Sequence, residues 1–161
     1  MSKVTLICGR ICSGKSTLAR KIQAEEGGVI LSCDELMLKL FPKGAGDMHD
    51  EIAGRVKAYL YGKAEELLNN NVHIILDWGF WTARERNYVN NFFRERNAEV
   101  CWKFTNIDDR THVDYIIDRN QKVIAGECSD YYVDEGLFMK ARSLFQEPDD
   151  EEMQTLNSRE E

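Results

Sequence analysis

Short apolar runs alternate along this chain with longer stretches in which apolar residues recur every three or four positions. Four runs, KVTLIC, GVILSC, VHIILD and AEVCWKF, are β-branched and apolar and follow polar or glycine turn residues, so each predicts a strand. Between them, residues 15–26 predict a helix ending at Gly27 and Gly28. Residues 51–68 predict a second, with Ile52, Val56, Tyr59, Leu60, Ala64 and Leu67 on one face. Thr82 and Glu85 form a capping box ahead of Val89, Phe92 and Phe93, and Val113, Ile116 and Ile117 mark a helix over 109–119. Both prolines, Pro42 and Pro148, fall outside the periodic segments. Strands separated by helices run parallel through right-handed crossovers, which predicts an open α/β sheet with helices on both faces and ligands at the strands' carboxyl ends.

The chemistry-bearing residues fall at those ends. Gly9 to Ser16 reads GRICSGKS, a GxxxxGKS phosphate-binding loop with a predicted strand before it and a helix after. Gly9 and Gly14 permit backbone conformations that turn successive N–H groups of Ile11, Cys12 and Ser13 inward, beside a helix N-terminus. Lys15 adds a mobile charge for the β and γ phosphates, Ser16 a hydroxyl for Mg²⁺, and Thr17 a reach to the α-phosphate. The loop is expected to hold ATP. NKxD, DxxG and LSGGQ do not occur, which excludes a GTPase and a transport ATPase, and a ring-forming ATPase needs more chain. A small kinase remains.

Composition narrows this further. The 161 residues are 43% hydrophobic and 30% charged, with no apolar run of membrane-spanning length, which predicts one globular domain acting in the cytoplasm. Net charge is −7, concentrated in EPDDEEMQTLNSREE, with no basic stripe, so a duplex nucleic-acid partner and a membrane are disfavoured. That acidic tail is expected to be solvated and partly frayed. Five cysteines without framework spacing read as buried reduced thiols, and three scattered histidines make no zinc pattern.

Asp34 follows the second strand, where its carboxylate would orient or deprotonate an acceptor hydroxyl; the plainer reading is an N-cap for a helix over 35–40. Asp77 ends the third strand, at the place of a Walker-B carboxylate that holds Mg²⁺ through water. Trp78, Phe80 and Trp81 surround Gly79 and would line an acceptor pocket, with core packing as the competing reading. Arginine is needed over the transferring oxygens. Arg119, taken to end the fourth helix, opens the patternless segment RNQKVIAGECSDYY, which is expected to close as a lid. Arg84 and Arg86 stand on the acceptor side, and Arg10 is expected to point outward.

Together LICGRICSGKSTLARKI, VILSCDEL, ILDWGFWTARER and DRN resemble a family of small bacterial P-loop kinases, grouped with chloramphenicol phosphotransferase, zeta toxin and polynucleotide 5′-kinase. The resemblance spans about residues 3–152 and implies ATP with Mg²⁺ and an α/β three-layer P-loop NTPase sheet of the nucleoside-monophosphate-kinase-like kind. It implies Asp34 as the acceptor-side carboxylate, Asp77 at the Walker-B position, Arg119 as lid arginine, and DWGFW with Arg86 as the more specific signature. Relatives usually have five strands, for which only residues 153–156 are available here, and Tyr115 stands where relatives often carry a second arginine.

The expectation is thus a kinase domain over 1–152, with a lid at about 119–131 and an acidic tail over 153–161. It would transfer a γ-phosphate to a small-molecule hydroxyl. Lys15, Asp34 and Arg119 are the expected catalytic residues, with Asp34, Trp78, Phe80 and Arg86 on the acceptor and Ser16 and Asp77 on the metal. Two alternatives stay open: an ATP-binding switch or slow ATPase with a protein partner, and a nucleic-acid 5′-end kinase.

Overall fold

The computed structural model describes residues 2–158. Its elements run β1 (Lys3–Cys8), α1 (Lys15–Glu26), β2 (Val29–Ile30), α2 (Cys33–Leu40), α3 (His49–Asn69), β3 (Ile74–Gly79), α4 (Ala83–Arg94), β4 (Glu99–Phe104), α5 (Asp109–Ile124), α6 (Glu135–Leu144) and α7 (Asp150–Asn157). The four strands form one parallel sheet in the order β2-β3-β1-β4, as the alternating pattern predicts. Among the described residues no helix is long and apolar enough to cross a membrane.

Strand periodicity sorts the two faces. Val4, Leu6 and Cys8 with Ile74 and Leu76 point into the cluster closed by Ala64 and Leu68 of α3 and Val89 and Phe93 of α4. The intervening Ile7 and Ile75 meet Ala19 and Ile22 of α1 on the other side. Full burial of side chains such as Leu6, Ile7, Leu76 and Phe93 contributes about 1.5–3 kcal/mol each. Period two then carries Asp77 onto the α1 face and Trp78 onto the α3 face. Between Leu6 and Cys8 the β1–β3 register shifts, and Gly9 N–H donates to Gly79 O at 3.0 Å, so both strands end together under the phosphate loop.

Four segments differ from the sequence pattern. The second strand shrinks to Val29–Ile30, because it is an edge strand paired only to β3 and Ser32 leaves the ladder to cap α2, accepting from Glu35 N–H at 3.3 Å. Asp34 is therefore not the cap but lies in the first helical turn. Helix α5 continues past Arg119 to Ile124, its last turns supported by an exposed Lys122–Asp118 pair at 2.7 Å. The unforeseen α6 follows, capped by Asp134. Residues 153–156 form no fifth strand; they lie in α7, capped by Asp149, with Leu156 only 2% exposed against the β4 side of the core. The expectation of a frayed tail fails to that extent, since one apolar face of an otherwise acidic helix suffices to dock it. Residues 159–161 of that tail lie outside the described residues.

Candidate active site

Ile11 to Thr17 wrap one end of a cavity of about 690 Å³ at the carboxyl edge of the sheet. Gly14 has φ +89°, a left-handed conformation in which glycine carries no Cβ penalty, and Cys12 adopts φ +55° beside it. The first intrahelical bond of α1 is Leu18 N–H to Gly14 O at 3.0 Å, so the N–H groups of residues 14–17 have no intrahelical acceptor and can meet an anion, whereas Ser13 N–H, expected to face the phosphates, is taken by Arg10 O at 3.2 Å. Gly9 plays a different part from the phosphate contact expected of it: its N–H is taken by Gly79, and a Cβ there would collide with Thr105 Oγ1 and Ser13 Oγ. It lets the loop settle onto β4. Arg10 points away from the cavity, as expected, and pairs with Asp109 at 2.7 Å.

Lys15 reaches back over the loop and donates to Arg10 O at 2.5 Å. Burial pushes its ammonium pKa down to about 8, with Asp34 raising it and Arg119 lowering it as the next contributions. The fit to a magnesium-bound polyphosphate shows in Ser16, whose hydroxyl donates to Asp77 Oδ2 at 3.1 Å. Burial raises the Asp77 carboxyl pKa, and the Ser16 bond opposes that rise. Two protein oxygens suit Mg²⁺, which keeps several waters and takes phosphate oxygens as further ligands.

Asp34 and Arg119 both face the cavity, Asp34 exposed at the start of α2 and Arg119 held loosely by Asp130 at 3.9 Å. The segment after α5 reaches the side of α2 and α3. Asn120 clamps it by donating to Val133 O and accepting from Val133 N–H, both at 2.8 Å, and Tyr131 packs against Cys33, Met37, Val56 and Leu60 of α2 and α3. Trp78 lines the cavity wall, fixed by Nε1–H donation to Leu31 O at 2.6 Å.

Two expected acceptor ligands stand elsewhere. Positive φ at Gly79 and Phe80 turns the chain after β3, so Phe80 is fully buried between Trp78 and Trp102. Arg86 is 1% exposed and shares the inward stripe of α4 with Val89, Asn90 and Phe93, bonded to Glu152, Phe80 O and Gln146 O. The periodicity that marked this helix as amphipathic contained that signal. Trp81, offered by the sequence for a pocket wall, does line the cavity, while Tyr131 and the α3 positions His49, Ala53 and Lys57, at helical spacing, were not assigned to the site.

The AAA_33 family, an AAA domain, matches residues 4–148. The chain belongs to that family. This AAA domain has a P-loop kinase-like fold, and no curated protein matches its sequence. Among solved structures it resembles a chain of the Pnkp1/Rnl/Hen1 RNA repair complex, with TM-score 0.70 and 18% identity over 96% of this chain and 45% of that one. It resembles a gluconokinase from Sinorhizobium meliloti 1021 with TM-score 0.60 and 12% identity, covering 92% of this chain and 78% of the other. Kti12 of Chaetomium thermophilum, in complex with ADP-AlF3, matches with TM-score 0.65 and 14% identity over 91% and 81%. The chain spans less than half the length of the RNA repair protein, and at these identities the likeness is one of fold.

Behind the loop, His112 of α5 is 4% exposed and donates from Nε2 to Ile11 O at 2.6 Å, tying the helix that carries Arg119 to the phosphate loop. Burial lowers its pKa below the ordinary 6.5. A depressed histidine stabilises the fold above the unfolded-state value and loses that contribution as pH falls through the folded one. Thermal stability is therefore expected to drop as pH falls below about 6.5, and less steeply in His112→Gln, as melting curves between pH 7.5 and 5 will show.

Proposed function

We propose that the protein is an ATP- and Mg²⁺-dependent phosphotransferase of the cytoplasm that moves the γ-phosphoryl group to a hydroxyl of a small molecule. The observation that carries this reading is one cavity faced by both Lys15 and Asp34, with the Ser16–Asp77 pair between β3 and α1. The free N–H groups from Gly14 to Thr17 bind phosphate oxygens, and Lys15 sets a cation where charge develops on the leaving oxygens. Ser16, and Asp77 through water, would hold Mg²⁺, which when bound would supply positive charge to the polyphosphate. Asp34 orients the acceptor hydroxyl and takes its proton, and Arg119 adds planar donors to the transferring group. The segment over 119–131 acts as the lid, excluding water so that transfer to the acceptor outruns hydrolysis. Kinship with the small kinases that carry DWGFW belongs to the same proposal.

ADP release is to be measured with and without nucleosides, sugars and aminoglycoside-like or phenicol-like alcohols. At least one alcohol is expected to accelerate it, and Asp34→Asn to lower that rate about 10²-fold with Kd for MgATP held within about twofold. Full transfer by Asp34→Asn would remove it as the base. If no alcohol accelerates ADP release, the protein is a switch or slow ATPase instead.

A further inference from the structure

The end of the cavity away from the phosphate loop is where an acceptor would be chosen. Resting on the phosphotransferase reading, we propose that the acceptor is an uncharged alcohol built on a flat or apolar ring, and that phosphorylated and carboxylated alcohols are rejected.

Ring recognition comes from the walls. Trp78, Trp81 and Tyr131 line this end from β3, the turn after it and the segment after α5. Trp78 is rigid: besides its bond to Leu31 O, its ring is met edge-on by Tyr61 at 5.0 Å and stacked by Phe80 at 6.0 Å. Trp81 lies across the backbone of Gly79, and its carbonyl accepts from Gln146 N–H at 2.7 Å. Aromatic faces fixed in this way bind a ring with little ordering cost.

Charge selection comes from the lysines already having partners. Lys57 Nζ is 3.1 Å from Glu85 Oε1 and stands 5.8 Å over the Trp78 ring. Glu85 is itself fixed, since its other oxygen accepts from Trp81 N–H at 3.2 Å. Lys140 pairs with Asp50 at 3.3 Å. Asp34 is a further carboxylate of the lining, and both of these ammonium groups are already matched by carboxylates before an acceptor arrives. Lys15, Arg119 and Arg20, which follows Ser16 by one turn of α1, belong to the phosphate end. An anionic acceptor would have to displace Glu85 from Lys57 or Asp50 from Lys140, or lie against the Asp34 carboxylate, whereas a neutral ring leaves both pairs intact. The Tyr131 hydroxyl, pushed up to about 12 by burial and by Asp34, stays protonated and offers a neutral polar contact.

Matched probes test this at saturating MgATP: adenosine against adenosine 3′-monophosphate, phenyl β-glucoside against phenyl β-glucuronide, sorbitol as an open-chain polyol, and a 5′-hydroxyl oligonucleotide. The neutral ring member of each pair is expected to have a kcat/KM at least about tenfold above its anionic partner and above sorbitol. Glu85→Gln, which keeps the contact to Trp81 N–H but frees Lys57, is expected to narrow the neutral-to-anionic ratio about tenfold. Trp81→Ala is expected to raise the acceptor KM with Kd for MgATP unchanged. Equal or better use of the phosphorylated, carboxylated, open-chain or oligonucleotide probe overturns the inference and leaves the phosphotransferase reading standing. If neither these probes nor any alcohol of the wider panel speeds ADP release, the phosphotransferase reading falls too, and this one with it.

Discussion

Lys15→Ala is expected to lower the rate of ATP consumption about 10³-fold or more while leaving thermal stability unchanged or slightly higher. The ammonium is the cation set nearest the phosphate loop, bonded to Arg10 O at 2.5 Å and awaiting a polyanion rather than paired with a carboxylate. A preorganised charge of this kind acts on developing negative charge without solvent reorganisation, and about 10³-fold corresponds to about 4 kcal/mol of barrier. Its cost to the fold is visible in the pKa lowered to about 8 by burial. Removing it forfeits one hydrogen bond to a carbonyl but also relieves that desolvation, so the two effects on stability oppose each other. Initial rates and melting curves separate them, with Lys15→Met as the variant that keeps the packing of the stem. A rate loss below tenfold in both variants would falsify the placement of the ammonium at the reacting phosphates.

Arg86→Ala is expected to destabilise the protein by about 3–5 kcal/mol, as removal of one partner from a buried pair does. Its Nε and Nη2 donate to the two carboxylate oxygens of Glu152 at 2.7 and 2.9 Å, and Nη1 donates to Phe80 O at 3.0 Å and Gln146 O at 2.9 Å. This single side chain thus joins α4, the turn after β3, the segment after α6, and α7. Alanine would leave two carbonyls and a carboxylate short of their donor, and Arg86→Lys would not restore the fork because an ammonium cannot span both oxygens. Urea unfolding measures the loss, with the Kd for MgATP of the folded fraction expected to stay unchanged. An Arg86→Ala protein of full stability but without transfer activity would return Arg86 to the acceptor site, where the sequence alone had put it.

Arg86 also marks where sequence reading stops. The same residue types read differently because a guanidinium on an amphipathic helix is equally at home in a ligand pocket and in a salt bridge across the core. The stripe of Arg86, Val89, Asn90 and Phe93 was legible, but its partner Glu152 is 66 residues away in sequence and in a segment that reads as solvated. Helix α7 was hidden for that reason: acidic surface residues dominate its composition, and burial of Leu156 with the Glu152 bridge decides its position. Helix α5 was cut short at Arg119 because residues 119–122 are all polar and interrupt the apolar spacing of Val113, Ile116 and Ile117. Their helicity comes from the continuing backbone ladder and the i,i+4 pair of Asp118 and Lys122. Phe80 was misplaced by a turn of two positive-φ residues, a reversal that propensity does not encode.

By itself the sequence determined the nucleotide end: the parallel order of strands and helices, the loop from Gly9 to Thr17, and Asp77 on the α1 face opposite Ser16. Those features depend on neighbouring residues and on the periods of strand and helix, which are short-range and nearly context-free. Only the tertiary structure decided the rest of the cavity, where α2, α3, the turn after β3 and the segment after α5 meet in one wall. Which charges there are free and which are spent on each other is fixed by distances between segments far apart in the chain. Composition carries no record of such distances, because every one of those lysines and carboxylates would look the same on an open surface.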